Sequence, residues 1–258
     1  MNLGISGKKA LVTGAGRGLG RSIATCLADE GVSICAVSRK RDDLDGLLTK
    51  LKGEGHLALS YDLVDEAAPS AMVSEMQNKF GSPDIVIHNV GGNLDLPDPL
   101  CSISDWRKVY RFNLEIAVEL NLLLVPFMQK NKWGRIVHIS SIASLENQGT
   151  VPYCSMKAAL NAYTRSFGRF LSPDGICVSS VLPGAVFTEG GYWDYTSKNR
   201  PDHFERYRTE RMAIQRFGEP DEIGRVVAFL SSQYASFVVG SSFLVDGGQG
   251  RNFQNNEF

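Results

Sequence analysis

Apolar and polar positions along the chain fall into two alternating regimes. Short apolar runs at 10–13, 33–38, 57–61, 85–88, 135–140, 176–182 and 242–245 predict strands. Between them, segments at 18–30, 42–52, 65–80, 104–129, 152–171 and 221–231 carry apolar residues at helical spacing. Strands that read as unbroken apolar runs are those buried on both faces, as in a parallel sheet covered by helices. The strand–helix order therefore predicts an α/β fold, a doubly wound parallel sheet with helices on both faces. No linker, repeat or charge block interrupts it, so one domain over 1–258 is expected. The exception is 186–216, a long connection rich in Tyr, Trp and charge that reads as irregular; such connections are functional or disordered.

Composition narrows the function classes. A net charge of -1 over 258 residues gives no electrostatic footprint for nucleic acid or an anionic membrane surface. No unbroken apolar run approaches the roughly 18 residues of a membrane span. The chain enters its first strand almost at once, so no signal peptide is expected. Five scattered cysteines form no Cys-x-x-Cys pair and no zinc spacing; Cys26 and Cys35 read as small apolar residues. No metal site is expected, and a reducing compartment, the cytoplasm, is.

Chemistry begins at the end of the first strand. Thr13-Gly-Ala-Gly-Arg-Gly-Leu-Gly20 turns from strand into helix. Glycines there permit a tight turn and a close backbone approach, and the helix N-terminus offers free N–H groups to a phosphate. This is a dinucleotide turn of Rossmann type, unless its glycines serve packing alone. The second strand ends Ser38-Arg39-Lys40-Arg41 with no acid to hold a ribose 2′-hydroxyl. Ser38, the guanidinium fork of Arg39 and Arg17 would suit a 2′-phosphate, so NADP(H) is expected over NAD(H). A solvated basic helix start is the plainer alternative.

Far along the chain, Tyr153 and Lys157 stand four residues apart, on one face of a predicted helix. A cation within about 4–6 Å lowers an acid's pKa by roughly 1–3 units, which would bring the phenol towards easy proton exchange with an alkoxide. Thirteen residues earlier, Ser140 ends a strand at the sheet edge where ligands bind in such folds. Asn113 interrupts an apolar helix stripe; a buried amide with a purely structural partner reads equally well. His56, His138 and His203 have no nucleophile or metal partners in sequence.

Taken together in this order, these motifs resemble the short-chain dehydrogenase/reductase family, from about residue 7 to 248. Asp62-Leu63 resembles its adenine-contacting dipeptide, and His88-Asn89-Val90-Gly91 stands where it usually has Asn-Asn-Ala-Gly. Pro183-Gly184 with Thr188 resembles its nicotinamide segment, and Val245-Asp246-Gly247-Gly248 its C-terminal strand end. The resemblance implies a catalytic tetrad of Asn113, Ser140, Tyr153 and Lys157. Tyr153 would be the acid in reduction and the base in oxidation. Lys157 would lower its pKa and bond the nicotinamide ribose, Ser140 orient the carbonyl, and Asn113 support a water between Lys157 and solvent. Cofactor contacts are implied at Gly14, Gly16, Arg17, Gly18, Leu19, Gly20, Ser38, Arg39, Asp62 and Leu63. Others are implied at Asn89, Gly91, Tyr153, Lys157, Pro183, Gly184, Val186 and Thr188.

These readings give an NADPH-preferring oxidoreductase acting on the carbonyl, or the alcohol, of a small polar, sugar-like or acidic substrate. The alternative is a 3-oxoacyl-[acyl carrier protein] reductase, which 216–223 and the C-terminal end resemble. A more remote one is a cofactor-sensing protein without catalysis on the same fold. In 186–216, paired Gly190 and Gly191 would hinge a lid whose Tyr192, Trp193 and Tyr195 face substrate, with Trp193 and Ser140 touching it. Arg200, Arg206, Arg208 and Arg211 would offer cations to an acidic group, or lie on a surface helix. The resemblance implies a homotetramer or homodimer, and the surplus apolar residues of 120–127 exceed one buried stripe.

Overall fold

The computed structural model describes residues 2–251. Seven strands form one parallel sheet in the order β3-β2-β1-β4-β5-β6-β7. They are β1 Lys9–Thr13, β2 Ser33–Ser38, β3 Leu57–Ser60, β4 Ile85–His88, β5 Gly134–Ile139, β6 Ile176–Pro183 and β7 Ser241–Val245. The helices are α1 Gly18–Asp29, α2 Arg41–Leu48, α3 Ala68–Lys79, α4 Ile103–Tyr110, α5 Ile116–Asn131, α6 Val151–Leu171, α7 Tyr192–Asn199, α8 Pro201–Arg211 and α9 Pro220–Leu230.

Strand alternation divides the core. Ala10, Val12, Ile34 and Ala36 face Ile23 and Leu27 of α1, Leu44 of α2 and Val227 of α9. Leu11, Cys35 and Val37 point the other way, towards Met72 of α3, Leu120 and Leu124 of α5 and Leu171 of α6. The strand order reverses between β1 and β4, which opens a crevice at their carboxyl ends. Asn89 closes the base of that crevice: its Nδ2 donates to the carbonyls of Thr13 and Gly14, both at 3.2 Å.

Two expectations change. The helix expected over 104–129 carries one π-helical turn, Arg111–Glu115, between α4 and α5. The stretch 186–216 is not irregular, since α7 and α8 occupy most of it. The run Ile103–Asn131 is long and apolar enough, by length and composition, to cross a bilayer. A core helix passes the same test, and Leu120, Leu124 and Met128 of this run are buried against the sheet.

Parallel register sets His88 beside His138, and their rings stack at 5.0 Å. Asn121 Oδ1 lies 2.8 Å from His88 Nε2, its Nδ2 donates to Tyr163 Oη at 3.1 Å, and Thr164 Oγ1 lies 2.8 Å from His138 Nδ1. His88 Nδ1 is buried without a hydrogen-bond partner. Burial pulls His88 down from 6.5 to about 4, and burial, His88 and Lys157 hold His138 well below its ordinary value. Below the unfolded value near 6.5 the unfolded chain takes up protons that the folded one refuses. The stability from these rings is therefore full above that pH and is lost as pH falls towards about 4. Urea unfolding at about pH 7 and pH 5 should show a loss of about 2 kcal/mol for each ring, with a slope approaching about 1.4 kcal/mol per pH unit below about 6.5. His88→Asn should roughly halve that slope; an unchanged slope would remove His88 as a cause.

Candidate active site

The glycine turn is shaped by the absence of side chains. A Cβ at Gly20 would meet the Gly14 carbonyl oxygen at 2.2 Å, and one at Gly16 would meet Ser38 Oγ at 2.7 Å. Gly18 has φ +54, a left-handed conformation that suits glycine. Arg21 braces the turn, its Nη2 donating to the carbonyls of Gly16 at 2.6 Å and Asp43 at 2.8 Å. Helix α1 starts with no side-chain cap and no acid in its first turn. Its leading N–H groups are thus suited to an anion.

A cleft of about 510 Å³ runs along the carboxyl ends of the central strands. It is lined at one end by Gly14, Gly16, Arg17, Gly18 and Leu19, with Ser38, Arg39, Asp62 and Leu63 beside them. Asn89 and Gly91 lie midway, and Ser140, Tyr153 and Lys157 line the other end. Lys40, Asp43, Tyr61 and Phe112 also line it and were missed from sequence, where nothing but their nearness to motif positions marked them. Arg39 is 68% exposed and only 3.8 Å from Asp62, a surface pair worth little energetically and easily exchanged for a stronger anion.

The implied tetrad gathers around α6 and the end of β5. Lys157 Nζ donates to the Ile139 carbonyl at 2.8 Å, while Ser140 Oγ donates to the Lys157 carbonyl at 3.3 Å. Asn113, in the π-helical turn, accepts from Gly92 N at 2.9 Å and donates to the carbonyls of Gly92 and Val109. Its amide is therefore occupied in holding the 91–92 backbone. Gly91 lies between Asn113 and Lys157, for a Cβ there would stand 2.9 Å from Asn113 Oδ1 and 3.0 Å from Lys157 Nζ.

The electrostatics differ from the expected lowering of the phenol. Lys157 Nζ is 5.8 Å from the Tyr153 ring centroid. Burial raises Tyr153 above its ordinary value of 10, with a hydrogen bond to Ser141 offsetting part of that rise. Burial also pulls Lys157 from 10.5 to about 8. Desolvation drives both groups towards their neutral forms. Ser141, unmarked in the sequence reading, is a direct partner of the phenol.

The nicotinamide-type segment is placed less uniformly. Thr188 approaches the turn, with its Cγ2 3.5 Å from a Cβ position on Gly18, while Val186 bridges to Gly218. Gly184 packs on Asp246 and Gln249, beyond Pro183 at the end of β6. Trp193 is not brought to the cleft. Its ring sits 4.3 Å from Tyr207 and 4.6 Å from Phe217, within a satellite apolar cluster built on Ala185, Met212 and Phe217. Apolar packing of a large ring inside this segment outweighs exposure towards substrate. Arg208 is held by Glu205 and donates to the Gln215 carbonyl, so it is engaged locally.

A parallel sheet with a glycine turn at its switch point and a Ser–Tyr–Lys cluster across the same cleft defines a nucleotide-dependent oxidoreductase class. The chain belongs to the short-chain dehydrogenase/reductase family, whose enzymes act on carbonyl and alcohol groups with NAD(P). A family model described as enoyl-(acyl carrier protein) reductase matches residues 14–249. The 3-oxoacyl-[acyl-carrier-protein] reductase of Aquifex aeolicus is 32% identical over 253 residues, covering 96% of this chain and 99% of that protein. The L-sorbose reductase of Gluconobacter frateurii, solved with NADPH and L-sorbose, superposes with a TM-score of 0.89 at 29% identity, over 96% of this chain and 98% of that one. A 3-oxoacyl (acyl-carrier-protein) reductase of Agrobacterium tumefaciens, solved with NADP, gives 0.88 at 26% identity, over 96% of both chains.

The spacing of Asn113 and Lys157 around Gly91 yields a test. Gly91→Ala should push the two apart and lower kcat/KM by about a hundredfold, as misplacements near 1 Å do. Its melting temperature should fall as well, since φ +158 at Gly91 strains any side chain, so kcat/KM is compared on protein shown by circular dichroism to be folded. Unchanged kcat/KM would show that this spacing is not used.

Proposed function

We propose that the chain is an NADPH-preferring reductase of small polar, sugar-like carbonyl compounds, also able to oxidise the matching alcohols. The observation that carries this reading is one cleft holding the phosphate-type turn, Ser38 and Arg39 at one end and Ser140, Tyr153 and Lys157 at the other. The residues fit the cofactor: the uncapped start of α1 suits a pyrophosphate, and Arg39 with Arg17 and Ser38 a 2′-phosphate. When bound, the nicotinamide supplies the hydride in reduction and takes it back in oxidation.

Ser140 donates a hydrogen bond to the substrate carbonyl and sets its face. Tyr153 gives its phenolic proton to the carbonyl oxygen as the new C–H bond forms and the C=O π pair becomes the O–H bond. Lys157, with a depressed but cationic ammonium at neutral pH, steadies the phenolate that remains. Asn113 fixes the loop that borders Lys157. The segment 186–216 acts as the substrate lid of a single domain.

The runner-up is reduction of a 3-oxoacyl group on a carrier protein, favoured by the Aquifex aeolicus relative. Favouring a compact polar substrate is the likeness to the L-sorbose reductase of Gluconobacter frateurii, solved with NADPH and L-sorbose. An acidic substrate gains less support, since Arg208 is engaged by Glu205. Five free thiols favour a reducing compartment, and we place the enzyme in the cytoplasm.

Screening NADPH oxidation across keto-sugars, keto-acids, quinones and 3-oxoacyl thioesters decides the substrate. With the best one, Tyr153→Phe should lower kcat at least about a hundredfold and leave the NADPH Kd nearly intact. Arg39→Ala should weaken NADPH about tenfold and NADH hardly at all. A wild-type Kd favouring NADH, or a Tyr153→Phe rate above about a tenth of wild type, would overturn the corresponding assignment.

Assembly follows from the faces of α5 and α6. Leu120, Leu124 and Val125 are buried, whereas Leu122 is 71% and Phe170 72% exposed. A second copy of the chain would cover these residues. Light scattering at micromolar concentration should give a dimer or tetramer, and a monomer would refute it.

A further inference from the structure

The segment between Pro183, the last residue of β6, and Pro220, the first of α9, carries α7 and α8. Its aromatic cluster holds α7 and α8 to each other, and a separate line of polar groups ties α8 to the rest of the fold. Ala185 N donates to Gln249 Oε1 at 2.6 Å. Gln249 Nε2 donates to Tyr207 Oη at 2.5 Å, and that hydroxyl donates to Gln148 Oε1 at 3.4 Å. Gln148 Nε2 donates to Glu146 Oε2 at 3.1 Å, and the Arg251 N–H donates to the same carboxylate.

Every donor in this line points the same way and it ends on a carboxylate, an arrangement in which each bond polarises the next. Gln249 is 2% exposed, so its amide is committed to these partners. Both ends of the line lie where the backbone leaves no room for a side chain. A Cβ on Gly184 would meet Gln249 Oε1 at 2.7 Å, and one on Gly149, next to Gln148, would meet the Tyr153 ring at 2.8 Å. Four stretches distant in sequence thus join: the end of β6, α8, the 246–251 strap and the loop that packs on Tyr153.

We propose that Gln249, Tyr207 and Gln148 are positioning residues, a hydrogen-bonded latch that holds α8 against the 146–149 loop and so shapes the wall that seats the carbonyl substrate beside Tyr153. This rests on the carbonyl-reductase reading above. Burial raises the Tyr207 phenol, which keeps it a donor throughout the neutral range. The residues act on substrate placement. They do not touch the proton transfer, which Tyr153 and its partners Ser141 and Lys157 govern.

Tyr207→Phe keeps the ring in the aromatic cluster and deletes the hydroxyl, and Gln249→Leu removes the amide. Each should raise KM for the best carbonyl substrate about tenfold, with kcat and the NADPH Kd within about twofold of wild type. The double variant should be no worse than either single one, because both cut the same line. Limited trypsin digestion, which needs no substrate, should cleave within 198–211 about tenfold faster in each variant. Unchanged KM with unchanged digestion, or effects that multiply in the double variant, would overturn the latch. If wild type reduces no carbonyl with NADPH, the functional reading fails and digestion alone decides whether the latch exists.

Discussion

The site depends on the burial of one ammonium. Lys157 is 3% exposed, and its Nζ meets the Ile139 carbonyl at the last residue of β5. Ser140, one residue further, returns a hydrogen bond to the Lys157 carbonyl. This reciprocal contact fixes α6 on the end of the sheet, and with it Tyr153 one helical turn away. The strand end is itself fixed because β5 lies between β4 and β6, with all six of its residues buried. A displacement of α6 would therefore leave a buried charge without its acceptor, a costly outcome that holds the geometry in place.

The same burial sets the chemistry. Among the described residues Lys157 meets no carboxylate, so its charge is not consumed by an ion pair. Its ammonium, lowered to about 8, stays largely cationic at neutral pH yet is poorly solvated. Negative charge that develops nearby is then stabilised more strongly than water would stabilise it. In the mechanism proposed above, Tyr153, raised by desolvation, would hold its proton until such charge appears. A pair attracted strongly in the resting state would gain less at the moment of transfer.

The strands were legible because buried parallel strands are apolar runs, and seven of the nine α-helices among the described residues were legible as six amphipathic segments between them, one segment covering both α4 and α5. The residues proposed as the tetrad stood out in sequence as chemically matched groups in order, and the structure brings Ser140, Tyr153 and Lys157 to one cleft. The π-helical turn Arg111–Glu115 was not, since the break that Asn113 makes in the apolar stripe reads equally well as one polar residue in a regular helix. Helices α7 and α8 were hidden because their apolar positions, Trp193, Phe204 and Tyr207, face a small separate cluster amid many charges. Trp193 was misread for the same reason: an aromatic residue near a site signals packing as readily as recognition. The His88–His138 stack needed cross-strand register, and Gln249 needed the return of the chain end to β6, neither of which local spacing encodes.

Relatives named for a carrier-bound 3-oxoacyl group and for a sugar superpose on this chain almost equally, at TM-scores of 0.88 and 0.89. The backbone therefore does not choose the substrate. The glycine turn, the β1–β4 crevice and the Lys157 contact are made by regular elements whose positions the sheet dictates. On the reading proposed above, the choice falls to the wall beside Tyr153 formed by the 146–149 loop, α8 and the residues after β7. Those pieces carry amides and a phenol in this chain, joined into one line from Ala185 to Glu146. On the same reading, an extended acyl chain would have to lie along these polar groups, whereas a compact hydroxylated molecule would match them with hydroxyls of its own. Discrimination of this kind grows with the number of polar groups that a wrong substrate leaves unmatched.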